Sequence, residues 1–257
     1  MNERKKVAVV GLGEIGKPLF ELISKFHDAI GVDVEPIENP GQVDILHVCY
    51  PFQIKDFVGE TARYINLFKP KLTIINSTVA VGTTRSVAQQ AGAVVVHSPV
   101  RGKHIRMRDE LRSYVKFVGA PDQAAGEEAA SHFSSFGLKT KILSSPEATE
   151  LAKLTETTYF GLMIGWAQEL ERYCDESGQN YEEIISFYEE IKFFPPVKYF
   201  PGIIGGHCVM PNIKILRNWT QSMILEAIEA SNQMKTERES RREADQSATP
   251  VGAAPSR

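Results

Sequence analysis

The sequence lacks the features of a nucleic-acid-binding or membrane protein. Its formal net charge is -3, so it has no basic excess to attract nucleic acid or anionic lipid. No apolar run approaches the roughly 20 residues that a membrane-spanning helix needs, and the charged N-terminus shows no signal-type cleavage site. The composition therefore predicts a cytoplasmic protein whose partners include neither nucleic acid nor a membrane.

Cysteine is also scarce, and its spacing is unlike that of a metal site. The chain has three cysteines, Cys49, Cys174 and Cys208, an odd number lying far apart. We therefore expect no disulfide framework, no metal, and at least one free thiol. What remains is ordinary globular composition, with 42% hydrophobic and 24% charged residues in a chain of 257, enough for one large domain or two smaller ones.

Short β-branched runs alternate with helical patterns in the first half of the chain. This alternation predicts successive β-α units that form a mostly parallel sheet. The predicted strands are Lys6–Val10, Ala29–Val32, Ile45–Val48, Thr73–Asn76, Val94–His97 and Val115–Val118.

The first predicted strand leads directly into a glycine-rich turn. Gly11, Gly13 and Gly16 have the G-x-G-x-x-G spacing, and a helical pattern from Lys17 to Phe26 follows. In this pattern the first glycine allows a tight turn, the second lets the backbone approach a pyrophosphate, and the third allows close packing of helix and strand. The helix N-terminus then faces the phosphates, so the turn is a predicted dinucleotide site.

Asp33 bears on which dinucleotide is bound. It closes the second predicted strand, where a carboxylate accepts hydrogen bonds from ribose hydroxyls and repels a 2′-phosphate. The next residues, Val34 and Glu35, supply no cation for such a phosphate. We therefore predict NAD rather than NADP. The alternative is a glycine turn in an α/β protein that binds no dinucleotide.

A change of pattern near Pro146 predicts a second domain. A long amphipathic pattern runs from Pro146 to Glu176 without a further proline, and such a helix usually links two domains. Its apolar residues lie on several faces, which also predicts a homodimer. Further helices are predicted over Tyr181–Ile191 and Ile213–Met234. We expect an α/β fold with a Rossmann-type dinucleotide-binding domain over residues 1–145, a helical substrate and dimerisation domain over 146–235, and a disordered tail over 236–257.

Five segments together resemble one known family. They are Gly11–Gly16, Val48–Pro51, Asn76–Thr84, Glu150–Lys153 and Gly205–Cys208. They look like segments of the UDP-glucose/GDP-mannose dehydrogenases and, more distantly, of the 6-phosphogluconate and β-hydroxyacid dehydrogenases. The resemblance implies NAD-dependent oxidation of a sugar alcohol to an aldehyde, capture of the aldehyde by a cysteine, a second oxidation, and hydrolysis of the thioester. It also implies that the cofactor contacts Glu14, Ile15, Tyr50, Pro51, Ser77 and Thr78, besides the three glycines and Asp33.

The resemblance gives candidate catalytic roles to three residues. Cys208 matches the nucleophile, and its glycine-rich loop allows close approach of a substrate. Lys153 matches the lysine that handles the proton or oxyanion of the reacting hydroxyl, and Thr157 stands where the family has an asparagine. The alternatives are a buried core thiol for Cys208 and a solvated surface lysine for Lys153.

Two features set the chain apart from this family. After Ser98-Pro99 the chain has Val100 and Arg101 where the family usually has a catalytic glutamate, and this segment resembles the substrate loop of β-hydroxyacid dehydrogenases. The chain also ends a helix and a tail after Cys208, where the family's C-terminal nucleotide-binding domain would begin. The first departure is compatible with an oxidation that stops after two electrons. The second is compatible with a substrate smaller than a nucleotide sugar.

A basic cluster after Pro99 points to an anionic substrate. Its members fall within a dozen residues and are opposed only by Asp109 and Glu110. Such a cluster binds a phosphate or carboxylate, unless it is an ordinary solvated loop. The cluster consists of Arg101, Lys103, His104, Arg106, Arg108 and Arg112. The predicted substrate-binding residues are Ser98, Arg101, Lys103, His104 and His207.

These patterns predict an NAD-dependent dehydrogenase of the nucleotide-sugar type that acts on a sugar derivative or a small anionic molecule. Two alternatives stay open. One is a two-electron β-hydroxyacid-type dehydrogenase, which Cys208→Ser would leave active. The other is an NAD-binding regulatory protein without catalysis, in which Lys153→Ala would change no substrate-dependent signal.

Overall fold

The computed structural model describes residues 4–34, 41–101, 111, 113–191 and 200–248. The chain divides into two compact units, Met1–Leu154 and Thr155–Arg257. The long helix predicted from Pro146 is present as Pro146–Ser177, and the division falls inside it. Residues 146–154 of this helix therefore belong to the first unit.

In the described part of the first unit, seven strands form one sheet with the order β2-β1-β3-β4-β5-β6-β7. Neighbouring strands are parallel, apart from the antiparallel pair β5 and β6. The predicted α/β class with a mostly parallel sheet is confirmed. The strands are β1 Lys6–Val10, β2 Asp28–Val32, β3 Ile45–Val48, β4 Leu72–Ile75, β5 Val95–His97, β6 Lys116–Gly119 and β7 Thr140–Leu143. The helices are α1 Gly16–Ile23, α2 Phe57–Phe68, α3 Thr83–Ala91, α4 Gln123–Ser135 and the first part of α5 Pro146–Ser177.

The central strands are buried because helices cover both faces of the sheet. Every residue of β3 and β4 is buried, as expected for continuous apolar runs in a parallel sheet. One face packs against α1 and α4 through Leu19, Ile23 and Phe133. The other packs against α2 and α3 through Phe68 and Val87. The carboxyl ends of the parallel strands are thereby left as the edge on which a ligand site can form.

The described part of the second unit is helical. Besides the rest of α5, it contains α6 Tyr181–Glu189, α7 Val209–Trp219 and α8 Met223–Ala248. Asn180 caps α6 by accepting a hydrogen bond from the Glu183 amide at 3.1 Å, so this helix begins where the sequence predicts. Among the helices of the described residues, none combines the length and apolar character that crossing a membrane requires.

Two local predictions differ from the structure. The predicted helix Ile213–Met234 is two helices, because the backbone becomes extended at Thr220. Helix α8 then continues to Ala248, whereas a disordered tail was predicted from residue 236. Ion pairs within the second unit account for the extension, since Lys235 contacts Glu171 of α5 at 2.7 Å and Arg238 contacts Asp175. Residues 249–257 of the predicted tail lie outside the described residues.

Candidate functional site

The glycine turn between β1 and α1 has the geometry of a dinucleotide-binding turn. Gly11 has a φ of 87°, and a Cβ on it would lie 2.6 Å from the Tyr50 amide nitrogen. A Cβ on Gly16 would lie 1.7 Å from the Gly11 carbonyl oxygen. A Cβ on Gly13, by contrast, would meet no atom within 4 Å. The first and third glycines therefore serve the turn itself, whereas the second borders open space that a pyrophosphate can fill.

The turn lies where the strand order of the sheet reverses. Strand β1 pairs in parallel with β2 on one side and with β3 on the other. In open α/β sheets, ligands bind outside the carboxyl ends of the strands at such a switch point. The structure brings all the predicted cofactor residues to this edge, after β1, β2, β3 or β4; their contact with a cofactor stays a prediction. They are Gly11, Gly13, Glu14, Ile15, Gly16, Asp33, Tyr50, Pro51, Ser77 and Thr78.

Asp33 is exposed immediately after β2. Its Oδ1 accepts a long hydrogen bond, 3.4 Å, from the amide of Leu12 in the glycine turn. The carboxylate thus lies beside the turn, at the place where an adenosine ribose is bound in dinucleotide folds. This position fits the predicted preference for a ribose without a 2′-phosphate.

Partly buried hydrogen bonds fix the backbone that follows β3 and β4. The Ser77 hydroxyl donates to the Tyr50 carbonyl oxygen at 2.5 Å. The Tyr50 hydroxyl lies 2.5 Å from Thr61 Oγ1 on α2, and burial raises the pKa of Tyr50 above its usual range. Tyr50 is therefore protonated and acts as a structural hydrogen-bonding group. Pro51 is exposed and Thr78 is half-buried beside these contacts.

His97, at the end of β5, joins the loop after β4 to the first turn of α5. Its ring is fully buried, with Nε2 3.0 Å from the Ser77 carbonyl oxygen and Nδ1 2.8 Å from Thr149 Oγ1. Burial lowers the pKa of His97 to about 3, so the ring is neutral at physiological pH. Because a carbonyl oxygen only accepts, Nε2 of the neutral ring carries the proton, and Nδ1 is the unprotonated nitrogen that faces the Thr149 hydroxyl.

Glu150, the next residue of α5, is a fully buried carboxylate. It accepts hydrogen bonds from the Gly82 amide at 2.6 Å, the Thr84 amide at 2.8 Å and the Thr84 hydroxyl at 2.6 Å. These donors belong to the N-terminal turn of α3, where unpaired amides and the helix dipole favour a negative charge. Burial raises the pKa of Glu150, although the three hydrogen bonds act in the opposite direction.

Lys153 lies one turn after Glu150 on α5 and is half-buried. A spacing of three residues places the two on neighbouring positions of one helix surface. The predicted placement of Lys153 near the start of a long helix is confirmed by this arrangement. Its catalytic role stays a prediction.

Lys116, on β6, is a buried lysine that sequence analysis missed. It is only 5% exposed, and its Nζ donates to the Ser98 carbonyl oxygen at 2.5 Å. Burial lowers the pKa of Lys116 to about 7, and the positive charge of Lys153 acts in the same direction. The sequence did contain one indication of this burial, a lysine within an otherwise apolar predicted strand. Lys116 fixes the carbonyl of Ser98, where the predicted substrate loop begins.

The predicted substrate residues of the first unit are only partly described. The Ser98 hydroxyl donates to the Phe117 carbonyl oxygen at 2.7 Å, so it is engaged within the sheet. The guanidinium of Arg101 lies 5.5 Å from the ring centroids of Tyr114 and Phe117, in cation-π range. The other members of the basic cluster lie outside the described residues. They are Lys103, His104, Arg106, Arg108 and Arg112.

Cys208, in the second unit, ends a glycine-rich loop and immediately precedes α7. It is half-buried, whereas residues 205–207, which include His207, are exposed. The loop is held at Ile204, whose amide donates to Asn232 Oδ1 at 2.7 Å and whose carbonyl accepts from Asn232 Nδ2 at 3.1 Å. A thiol at a helix N-terminus beside small residues has the access and the positive electrostatic environment that favour a nucleophile.

Thr157 and Cys208 are connected through Asn212, which sequence analysis also missed. Asn212 lies one turn after Cys208, and its amide donates to the Cys208 carbonyl oxygen at 3.3 Å. Its side-chain Nδ2 donates to Thr157 Oγ1 at 2.9 Å. Thr157 stands where the resembled family has an asparagine. The side-chain carboxamide of Asn212, on α7, lies beside it. The available signal was a polar residue one helical turn after the candidate nucleophile.

The other two cysteines are buried, as expected for core thiols. Burial raises the pKa of Cys49 to about 12, so this thiol is not a nucleophile at neutral pH. Within the part of the chain that the structure describes, no group of three or more His, Cys, Asp or Glu side chains is arranged to hold a metal ion.

Comparison with known proteins relates the chain to nucleotide-sugar dehydrogenases. Residues 147–235 match the model of the UDP-glucose/GDP-mannose dehydrogenase family, central domain. A UDP-N-acetyl-D-mannosamine dehydrogenase of Methanococcus vannielii is 24% identical, over 80% of this chain and 59% of that protein. The chain therefore spans less than two thirds of that relative's length. The resemblance predicted from the five sequence segments is confirmed.

Solved structures share the fold. A UDP-D-ManNAc dehydrogenase from Pyrococcus horikoshii has a TM-score of 0.75 at 22% identity, over 90% of this chain and 68% of that chain. A 3-hydroxyisobutyrate dehydrogenase from Mycobacterium tuberculosis has a TM-score of 0.68 at 15% identity, over 93% of this chain and 94% of that chain. At these identities the likeness establishes the Rossmann-type architecture alone.

Proposed function

We propose that this relative of the UDP-glucose/GDP-mannose dehydrogenases binds NAD at the glycine turn and oxidises an alcohol group of a nucleotide sugar. The glycine turn carries the proposal, because Gly13 borders open space at the switch point and Asp33 lies beside it. These residues fit a dinucleotide, with the pyrophosphate against Gly13 and the ribose hydroxyls on Asp33. The cofactor, when bound, supplies the hydride acceptor.

Lys153 handles the proton in the first oxidation. Its amine orients the reacting hydroxyl and receives the proton that leaves it as the carbon loses hydride. Its half-buried place on α5, one turn after Glu150, suits this task. The product of this step is an aldehyde, and two electrons have left the substrate.

Cys208 acts on that aldehyde. Its thiolate adds to the carbonyl carbon and gives a thiohemiacetal anion, which loses a second hydride to become a thioester. Water then hydrolyses the thioester to an acid and frees the thiol, so four electrons in total pass to two molecules of NAD. Thr157, held by Asn212, supplies a hydroxyl for the oxygen of the reacting group.

The proposal is tested by following NADH formation with a panel of alcohols. The panel contains UDP-N-acetyl-D-mannosamine, UDP-glucose, GDP-mannose, the corresponding free sugar phosphates and 3-hydroxyisobutyrate. We expect NADH with at least one nucleotide sugar, and a fall of about a hundredfold or more in kcat for Lys153→Ala with unchanged NAD affinity. No NADH and no ligand-dependent thermal shift with any member would contradict the proposal and favour a regulatory NAD-binding protein.

A second candidate is oxidation of a small hydroxyacid. Arg101 favours it, because a half-buried guanidinium after β5 suits a carboxylate or phosphate. NADH formation with 3-hydroxyisobutyrate, but with no sugar nucleotide, would select this candidate. Loss of that activity in Arg101→Ala would then place the anion at Arg101.

The helical unit supports a further proposal, a homodimer. Four large side chains of α5 follow one face at helical spacing and are 39% to 53% exposed. They are Tyr159, Leu162, Trp166 and Tyr173. Light scattering should give the mass of a dimer for the natural chain and of a monomer for Trp166→Asp. A monomeric natural chain would contradict this proposal and leave the enzymatic one intact.

A further inference from the structure

The first turn of α5 is anchored to the sheet edge at two consecutive residues. Thr149 pairs with the His97 ring, and Glu150 accepts three hydrogen bonds from the start of α3. Both side chains are buried. We infer that Glu150 is a positioning residue, which sets the place of Lys153 relative to the cofactor-binding edge. The inference rests on the proposed function, in which Lys153 receives the hydroxyl proton.

The geometry of Glu150 makes this anchor strong. Charge-assisted hydrogen bonds of 2.6 to 2.8 Å are the strong class in proteins, and both oxygens of Glu150 are engaged. The carboxylate also occupies the positive end of α3. Because three hydrogen bonds hold the Glu150 carboxylate, they also fix the position of the turn of α5 on which Glu150 and Lys153 lie.

The anchored backbone is the one that borders the predicted cofactor site. The segment from Gly82 to Thr84, which binds Glu150, belongs to the same connection between β4 and α3 as Ser77 and Thr78. A shift of α5 against this segment would therefore move Lys153 relative to those two residues. Hydride and proton leave adjacent atoms of the same alcohol, so their acceptors must keep one fixed spacing.

A second path of hydrogen bonds supports the same arrangement. It runs from Thr149 to the His97 ring, from His97 to the Ser77 carbonyl, and from the Ser77 hydroxyl to the Tyr50 carbonyl. This path crosses the ends of β5, β4 and β3, so it links α5 to backbone on which cofactor residues are predicted. Glu150 and Thr149 thus tie the same helix turn to one strand edge from two directions.

An exposed ion pair between the same two helices offers a matched control. Arg85 of α3 contacts Glu147 of α5 at 2.6 Å, and the Arg85 side chain is 56% exposed. Exposed pairs contribute little, because water and salt screen them. Arg85→Ala therefore removes a contact between α3 and α5 without disturbing the buried anchor.

The test compares the steady-state kinetics of Glu150→Gln, Thr84→Val and Arg85→Ala. Glutamine turns one acceptor oxygen into a donor that faces an amide, and valine removes the hydroxyl donor. We expect kcat to fall about 10- to 100-fold for Glu150→Gln and about 3- to 10-fold for Thr84→Val, with KM for NAD within about twofold of the natural chain. Arg85→Ala should stay within about twofold in both constants. Equal kcat in all three variants would overturn the inference, and Thr84→Val decides if Glu150→Gln does not fold.

A second readout does not depend on turnover. Lysines are dimethylated with a 13C label, and the Lys153 signal is assigned by its loss in Lys153→Arg. Its chemical shift should move in Glu150→Gln and Thr84→Val and stay unchanged in Arg85→Ala. If the natural chain oxidises no substrate, the proposed function fails, and this signal alone decides whether Glu150 positions Lys153. An unmoved signal in both anchor variants would overturn the inference even in an active enzyme.

Discussion

The two units hold their candidate residues by different means. At the sheet edge of the first unit, side chains from successive strand ends bind neighbouring backbone, as Ser77 binds Tyr50 and His97 binds Ser77. In the second unit, the loop before Cys208 is held at Ile204 by Asn232 and at the Gly202 carbonyl oxygen by Gln168, and residues 205–207 are exposed. The predicted cofactor edge is thus fixed by sheet register and many contacts. The loop before the candidate nucleophile Cys208 depends on fewer contacts, so single substitutions should affect it more selectively.

The largest expected effect tests whether the glycine turn is a fixed part of the fold. Gly16→Ala places a Cβ 1.7 Å from the Gly11 carbonyl oxygen, so we expect destabilisation of about 3 kcal/mol or more, measured by chemical denaturation. Gly13→Ala meets no atom within 4 Å and should leave the free energy of unfolding within about 0.5 kcal/mol of the natural value. Its NAD affinity, measured by calorimetry, should fall about tenfold or more because the methyl group occupies the space of the pyrophosphate.

The contrast between these two variants is the informative result. If Gly13→Ala bound NAD as tightly as the natural chain, the open space beside Gly13 would not be the pyrophosphate site. If Gly16→Ala were as stable as the natural chain, α1 would have more freedom against β1 than the structure gives it.

A smaller effect tests the support of the loop before Cys208. Asn232→Ala removes both hydrogen bonds to Ile204, and we expect a loss of about 2 kcal/mol in the free energy of unfolding. Hydrogen exchange at residues 202–208 should quicken, whereas exchange in β1 and β4 should not change. Gln233→Ala is the matched control. Gln233 is exposed, and its side-chain amide donates to Glu237, one helical turn further along the same helix. Equal exchange in the two variants would show that the loop has other support.

The smallest effect concerns the pH dependence of the first unit. The pKa of Lys116 is about 7 in the folded chain and 10.5 in the unfolded one, so above pH 7 the unfolded state binds more protons. Stability contributed by this group is therefore lowest below pH 7 and rises with pH, by about 1.4 kcal/mol per pH unit at most. Urea denaturation between pH 7 and 8.5 should show this rise in the natural chain and in Lys141→Met, an exposed control. The rise should be absent in Lys116→Met.

The pH window is chosen to isolate Lys116. Unfolding exposes Cys49, whose pKa falls from about 12 towards 9, so this thiol lowers stability only above about pH 9. Buried His47 and His97 have pKa values of about 3 against 6.5 when unfolded, so their stabilisation is lost as pH falls from about 6.5. A parallel slope in all three proteins between pH 7 and 8.5 would mean that Lys116 is charged in the folded state.

Patterns local in sequence predicted the secondary structure around the glycine turn and the start of the long helix. Strand β1 and the glycine spacing are set by neighbouring residues, and the long helix from Pro146 has an unbroken amphipathic pattern. Strand β7 was missed because it is a short edge strand of mixed polarity. The break at Thr220 was missed because no glycine or proline marks it.

Contacts between distant segments could not be predicted in this way. The burial of Lys116 follows from the pairing of β6 with β5 and β7, which the sequence does not specify. Glu150 meets Thr84, and Asn212 meets Thr157, only because tertiary packing brings their helices together. Sequence analysis therefore found candidates by residue type and motif, whereas the residues that position them required the fold.

The most direct test of the proposed chemistry is the yield of NADH per molecule of substrate consumed. With the nucleotide sugar that supports turnover, the natural chain should form two NADH and one acid product per substrate. Cys208→Ser should stop acid formation while its NAD affinity and thermal stability stay unchanged. One NADH per substrate in both proteins, with an aldehyde or ketone as product, would contradict the role of Cys208 and identify a two-electron dehydrogenase.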